Sequence, residues 1–170
     1  VSSDIIGFLI VLGRNGSVLI LNSNGQFVST IERPETEFTS VSCSKENLYL
    51  GTFSGTVFNY HLSSLQLIKQ LSHNSLLSQK FPSKHFSSKV SSILTSSNGK
   101  RVVIVYETKN FYIYHNRKDS IEALYVAHHS ESIRDIKWIS QTGKQMLTIS
   151  DKLCYGRTTN SGTWSFSSVD

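Results

Sequence analysis

Short apolar segments separated by glycine-containing turns recur along this chain at a nearly constant spacing. Residues 136–144 superpose on residues 93–100, with offsets of 43 at the leading isoleucines (136 minus 93) and 44 at the turn glycines (143 minus 99). The turns at Gly16 and Gly55 superpose with an offset of 39 (55 minus 16). A repeat of about 40 to 45 residues accommodates four short strands. The sequence therefore predicts repeated units of about four strands each.

The segments between these turns alternate apolar and polar residues, with almost no helical periodicity, which predicts an all-β protein. Asn-Gly pairs at 15–16 and 24–25 supply the positive φ angles of tight hairpins, so the first unit is expected to be a three-stranded meander. Its innermost strand is expected to precede Val1. We expect one repeat domain over residues 1–170, with units at approximately 5–33, 38–72, 88–127 and 129–168.

The fourth unit shows an ordered series of residues that begins with a histidine and ends with Ser-Asp. In order, it contains His129, Ile133, Ile136, Trp138, the turn at Gly143, and Ser150-Asp151. This order resembles a WD40 repeat. The resemblance implies a β-propeller made of four-stranded antiparallel blades. It implies a scaffold and does not specify a partner.

In a WD40 repeat, a buried hydrogen-bond network locks each blade. The resemblance implies that the blade-locking residues here are His129, Ser150, Asp151 and Trp138. The family's Trp-Asp pair, however, is replaced at the ends of the third strands. The replacements are Leu21-Asn22, Tyr60-His61, Tyr114-His115 and Arg157-Thr158. We therefore expect these units to depend on apolar packing more than on the network.

Four units are fewer than the roughly seven that WD40 rings usually contain. An unclosed set of blades leaves unpaired edge strands that can pair with other strands. The resemblance therefore implies an incomplete ring in this chain. Either the chain is a portion of a longer protein, which we favour, or another chain completes the ring.

Composition is that of a folded protein, since 38% of the 170 residues are hydrophobic and 11% are aromatic. The longest apolar stretch ends at Leu12, far short of the roughly 18 residues that span a bilayer, so no membrane insertion is expected. No signal peptide is recognisable. Cys43 and Cys154 are therefore predicted to be reduced core thiols in an intracellular protein of the cytoplasm or nucleus.

Residues 73–89 form a Ser-, Lys- and His-rich stretch where neighbouring units are normally joined by a few residues. We expect an inserted loop. It is either a solvated connector or a loop that binds a partner or is modified.

No pattern in the sequence indicates catalysis, and the chain is predicted not to be an enzyme. The six histidines include no pair at i, i+4 spacing and no Cys-x-x-Cys accompanies them, so no metal site is predicted. No phosphate-binding glycine loop occurs, so no cofactor and no small-molecule substrate are expected.

Positive charge is in excess, with 17 Lys and Arg against 12 Asp and Glu, a formal net charge of +5. A basic surface attracts acidic partners, including nucleic-acid phosphates, although the same charge also serves solubility. The first–second and third–fourth connections of a meander emerge on one side, so one face is expected to be basic. The candidate partner- or phosphate-binding residues are Lys84, Lys89, Lys100, Arg101, Arg117, Lys118 and Arg157.

Two functions are consistent with this sequence. The first is a non-enzymatic WD40-repeat scaffold that mediates protein–protein interactions between subunits of a larger intracellular complex. The alternative is an RNA-associated propeller subunit of a ribonucleoprotein or ribosome-assembly complex, which would use the basic face.

Overall fold

The computed structural model describes residues 7–13, 15–72, 89–107, 110–116, 121–128, 132–150, 153–158 and 163–169. These residues form fifteen β-strands and no helix, which confirms the predicted all-β class. The strands combine into four antiparallel sheets, one of three strands and three of four. Within each sheet, strands that are consecutive in the chain are neighbours.

The first two sheets span residues 8–72. Sheet 1 contains β1 (Phe8–Leu12), β2 (Ser17–Asn22) and β3 (Phe27–Glu32). Sheet 2 contains β4 (Phe38–Cys43), β5 (Asn47–Thr52), β6 (Thr56–His61) and β7 (Leu67–Ser72).

The last two sheets span residues 90–169. Sheet 3 contains β8 (Val90–Thr95), β9 (Arg101–Tyr106), β10 (Asn110–Asn116) and β11 (Ile121–His128). Sheet 4 contains β12 (Asp135–Trp138), β13 (Gln145–Ile149), β14 (Leu153–Thr158) and β15 (Trp164–Val169). The 73–89 stretch predicted to be an inserted loop lies outside the described residues, apart from Lys89.

A β-bulge recurs at one position of the repeat and aligns the first three sheets. The register between neighbouring strands shifts directly after Ile20 in β2, after Asn59 in β6 and after Ile113 in β10. The first two positions are 39 residues apart (59 minus 20), as the sequence offset predicts. Strands β2, β6 and β10 are therefore equivalent, and the described strands of sheet 1 correspond to the second, third and fourth strands of sheet 2.

The turns between first and second strands repeat as well. Gly99 and Gly143 both have a φ angle of +68°, a left-handed conformation that favours glycine. The Gly99 N–H donates to the Ser96 carbonyl at 2.8 Å, and the Gly143 N–H donates to the Ser140 carbonyl at 3.0 Å. This shared geometry confirms that residues 136–144 repeat the structure of 93–100.

The hydrophobic core consists of three clusters, each between two consecutive sheets. Val18 and Ile20 of sheet 1 pack with Leu48 and Leu50 of sheet 2. The next cluster joins sheets 2 and 3, and the last joins sheets 3 and 4. Strands β5 and β9 are buried along almost their whole length because they are covered on both faces, which explains their continuous apolar runs.

Side-chain hydrogen bonds link the first strands of sheets 2 and 3. The Thr39 hydroxyl donates to the Val90 carbonyl at 2.6 Å. The Thr95 hydroxyl donates to the Cys43 carbonyl, also at 2.6 Å. These bonds hold β4 beside β8, so the turns that follow the two strands emerge close together.

Cys43 is solvent-exposed and Cys154 is half-buried, and both are free thiols. The prediction that both are core thiols is therefore wrong. Cys43 is the last residue of β4, directly before the turn that leads to β5, and the end of a strand is less covered than its centre. Among the described residues, there is no helix with the length and apolar character that crossing a membrane requires.

Candidate functional site

The turns after the first strands of sheets 2, 3 and 4 each present an exposed lysine, and we call Lys45, Lys100 and Lys144 the lysine edge. A serine hydroxyl fixes each turn by accepting a backbone hydrogen bond. The Asn47 N–H donates to Ser44 Oγ at 3.2 Å, the Arg101 N–H to Ser96 Oγ at 3.0 Å, and the Lys144 N–H to Ser140 Oγ at 2.9 Å. A seryl oxygen that accepts from a nearby N–H favours such turns.

The third strands end at the same edge. The Asn116 N–H donates to the Lys100 carbonyl at 2.9 Å, and the Thr158 N–H donates to the Lys144 carbonyl at 3.0 Å. The first–second turn and the end of the third strand therefore lie together, as the sequence predicted for a meander. Arg157 is exposed on β14 directly before Thr158, so it belongs to this edge.

A groove of about 700 Å³ opens at this edge between sheets 2 and 3. Sheet 3 contributes the turn at Asn98, Gly99 and Lys100 together with Asn116. Sheet 2 contributes a turn and the polar ends of three strands: Ser44, Lys45, Glu46, Asn47, Asn59, His61, Ile68 and Lys69. We call this the Asn59 groove.

The Asn59 groove arises because one face of sheet 2 changes character along its strands. Asn59 on β6 lies opposite Tyr49 on β5 and Lys69 on β7, so the three side chains share a face. Val57 precedes Asn59 by two residues on β6 and therefore points to the same face. It pairs with Leu71 on β7 and packs in the core with sheet 3. The apolar half of this face is buried against sheet 3, and the polar half lines the groove.

Two polar atoms inside the Asn59 groove are buried without a hydrogen-bond partner among the described residues. They are the Oδ1 atom of Asn59 and the Nζ atom of Lys69. Asn59 is only 1% exposed. Burial of an unpartnered amide or ammonium group is costly, because the water that solvated it is not replaced. Asn59 and Lys69 are therefore the strongest candidate binding groups of the described chain.

The electrostatic balance of the Asn59 groove is positive. Lys45, Lys69 and Lys100 line it together with one carboxylate, that of Glu46. Lys45 and Lys100 are exposed, whereas the Lys69 ammonium is enclosed. Charges at the walls of a cleft focus the field and attract ions of opposite sign. The groove is suited to an anionic ligand that also carries a hydrogen-bond donor for Asn59.

The structure separates the cations that the sequence grouped as candidates. Lys100 lies in the Asn59 groove, and Arg157 lies at the same edge of sheet 4. Lys89 precedes β8 and is therefore at the opposite end, with its Nζ atom 5.9 Å from the Phe53 ring centroid. Lys84, Arg117 and Lys118 lie outside the described residues.

Arg101 is engaged in contacts between sheets 3 and 4. Its guanidinium donates to the Gly143 carbonyl at 3.0 Å, and the guanidinium carbon lies 5.4 Å from the Trp164 ring centroid. Partial burial lowers the pKa of Arg101. This guanidinium stabilises the contact between two sheets through a hydrogen bond and a cation–π interaction.

Two of the four candidate blade-locking residues can be placed. Trp138 is half-buried on β12, and its indole N–H donates to the Leu94 carbonyl of sheet 3 at 3.4 Å. Ser150 is buried directly after β13. His129 and Asp151 lie outside the described residues.

Aromatic side chains fill the core where the third strands end. Tyr60 is 3% exposed and packs in the cluster between sheets 1 and 2. Tyr114 is fully buried in the cluster between sheets 2 and 3. The Arg33 side chain donates from Nε to the Tyr60 hydroxyl at 2.6 Å, and its guanidinium carbon lies 4.2 Å from the Phe58 ring centroid. Tyr60 and Tyr114 therefore contribute to the packing between consecutive sheets.

The described residues include no group of three or more His, Cys, Asp or Glu side chains placed to hold a metal ion. A scan against protein-family models finds no match, and neither does a search of curated proteins. Function must therefore be inferred from the stacked sheets and from the groups that line the Asn59 groove.

Proposed function

We propose that the chain forms part of a WD40-like β-propeller and acts as a non-enzymatic scaffold for protein subunits of a larger intracellular complex. In this proposal, the four sheets are consecutive blades and sheet 1 is covered by a further blade. The edges and grooves of the blades supply the binding surfaces. Ring completion by the same polypeptide or by another is compatible with this role.

The apolar outer face of sheet 1 is the observation that carries the proposal. This face points away from sheet 2 and contains Leu9, Val11 and Leu19, which are 56%, 44% and 37% exposed. Their equivalents 39 residues later in sheet 2 are Leu48, Leu50 and Phe58, which are at most 6% exposed because they pack against sheet 1.

The apolar residues that sheet 2 buries against sheet 1 therefore have apolar equivalents on the outer face of sheet 1, where they are exposed. Phe27, which is 64% exposed, extends this apolar face onto β3 because it lies opposite Leu21. Exposed apolar patches of this kind usually mark an interface. A further antiparallel sheet is the occupant that fits, since that is what covers the equivalent face of sheet 2.

The lysine edge favours the alternative function. Lys45, Lys100 and Lys144 are exposed at equivalent turns of three consecutive sheets. A row of cations along one edge could contact successive phosphates of an RNA strand, and such binding would weaken steeply with added salt. In this second candidate function, the chain is an RNA-associated propeller subunit.

One experiment discriminates between the two functions. The native protein is purified with its partners at low and high salt, with and without nuclease, and the partners are identified by mass spectrometry. The scaffold function predicts protein partners that survive nuclease and salt. Loss of every partner on nuclease treatment would instead establish the RNA-associated function.

A matched set of variants sharpens this result. Replacement of Lys45, Lys100 and Lys144 by Glu reverses the charge of the lysine edge, whereas Lys89→Glu changes a lysine at the opposite end. RNA association through the edge predicts that only the triple variant loses its partners. Unchanged partners in both variants would exclude the lysine edge as the binding surface.

A further inference from the structure

The Asn59 groove interrupts an otherwise apolar position of the repeat. The position of Asn59 in β6 is occupied by Ile20 in β2 and by Ile113 in β10, as the shared bulge shows. Both isoleucines are at most 1% exposed and lie in the core clusters. An asparagine at this site costs stability, because its Oδ1 atom is buried without a partner. Departures from a locally consistent pattern are expected where function requires them.

A second polar residue accompanies this departure. Lys69 lies directly opposite Asn59 on β7, and the position opposite Ile20 in sheet 1 is Ser29. The Lys69 ammonium is enclosed and has no acceptor among the described residues. Asn59 and Lys69 are thus cross-strand neighbours that supply an unused acceptor and an unused charged donor.

We propose that the Asn59 groove binds an acidic peptide segment of a partner protein. A carboxylate of the peptide accepts hydrogen bonds from the Lys69 ammonium, and a peptide N–H donates to Asn59 Oδ1. This inference rests on the proposed protein-binding function and names the partner chemistry at one site.

The surroundings of the pair favour an acidic ligand. Lys45 lines the groove from sheet 2, and Lys100 lines it from sheet 3. Their combined positive charge exceeds the single negative charge of Glu46. Hydrogen bonds between ammonium groups and carboxylates are among the strong ones in proteins. An acidic segment would neutralise an enclosed charge that the described chain leaves uncompensated.

The amide groups favour a peptide over an isolated anion. Asn98 is occupied structurally, since its Oδ1 atom accepts from the Ser96 hydroxyl at 2.8 Å and from the Lys100 N–H at 3.1 Å. Asn59 remains available as an acceptor. A phosphate group offers acceptors only, whereas a peptide backbone also supplies N–H donors. One acidic residue of a peptide supplies both groups, since its carboxylate is an acceptor for the Lys69 ammonium and its backbone N–H is a donor for Asn59 Oδ1.

The test uses the native protein in a fluorescence-anisotropy titration with three labelled probes. These are a decaglutamate peptide, a decaglutamine peptide and a ten-nucleotide RNA. We expect decaglutamate to bind and decaglutamine not to bind. Lys69→Gln and Asn59→Leu should each weaken decaglutamate binding by about tenfold or more, as loss of a hydrogen bond to a charged group or of a buried one implies. Lys89→Gln, at the opposite end of β8, should leave binding unchanged.

Three outcomes would overturn the proposal. The first is that the native protein does not bind decaglutamate. The second is that Lys69→Gln binds decaglutamate as tightly as the native protein does. The third is that the native protein binds the RNA more tightly than decaglutamate and that Lys69→Gln abolishes this RNA binding. Thermal unfolding of each variant confirms that it is folded. Protein partners that co-purify equally with native and Lys69→Gln protein would preserve the scaffold function while removing the groove as its site.

Discussion

The interface between sheets 1 and 2 and the interface between sheets 2 and 3 use equivalent positions differently. At the first interface, Ile20 and Ile10 complete an apolar contact. At the second, the equivalent residues are Asn59 and Tyr49, and a polar groove opens beside the packed core. The comparison shows that a repeat can keep its backbone register while one interface replaces apolar contacts with a polar groove.

Introduction of the same polar residue into sheet 3 should have the largest effect. Ile113→Asn places an asparagine at the apolar position of sheet 3, where Ile113 is fully buried. It should lower the free energy of unfolding by about 3 to 5 kcal/mol, because apolar packing is lost and an amide is buried without a partner. Urea unfolding measures the change, with Ile113→Val as the control at about 0.5 to 1.5 kcal/mol. Equal losses for the two variants would show that the position tolerates polarity.

The covered and uncovered apolar faces can be compared by matched truncations. Leu50→Ala should cost about 2 to 5 kcal/mol, because Leu50 is fully buried between sheets 1 and 2. Val11 is its equivalent on the outer face of sheet 1 and is 44% exposed. If a further sheet covers Val11 in the native protein, Val11→Ala should cost well over the roughly 0.5 kcal/mol typical of a surface substitution. A cost within that limit would indicate an uncovered face.

Restoration of the apolar residue at the groove should have the opposite sign. Asn59→Ile should raise the free energy of unfolding by about 1 kcal/mol or more, because it removes an unpartnered buried amide. The same variant should lose decaglutamate binding. A fall in stability, measured by the same urea titration, would mean that Asn59 contributes to folding instead.

The smallest effect concerns the tyrosines between sheets 2 and 3. Burial raises the pKa of Tyr112 to about 12, and it also raises the pKa of Tyr106 and Tyr114 above the ordinary value of 10.0. The unfolded chain ionises first, so stability is fully present below pH 10 and declines between about pH 10 and 12. Urea unfolding across this range should show the decline. Tyr112→Phe should make it shallower, and an identical slope would exclude Tyr112 as a contributor.

Local signals made most of the fold predictable. The second unit, for example, is predicted at 38–72 and sheet 2 has those bounds, since its turns and its apolar alternation each involve residues only a few positions apart. The equivalent turns at Gly99 and Gly143 were predicted from their spacing alone. Hairpins depend on neighbouring residues, which is why a single sequence suffices for them.

The candidate binding groups were not predictable in the same way. Asn59 and Lys69 are ten residues apart (69 minus 59), and only the strand register places them opposite each other. Arg101 was grouped with the surface cations, yet the Gly143 carbonyl and Trp164 of the next sheet engage it. A useful signal was available in the repeat itself, since Asn59 stands where two other units have isoleucine.

The most direct test of the continued stack is hydroxyl-radical footprinting of the native protein, read by mass spectrometry. Phe27 on the outer face of sheet 1 and Phe53 in a turn of sheet 2 have similar exposure, 64% and 57%, so they form a matched pair. If a further sheet covers the outer face, Phe27 should be modified far less than Phe53. Equal modification of the two phenylalanines would contradict the stack and, with it, the proposed propeller.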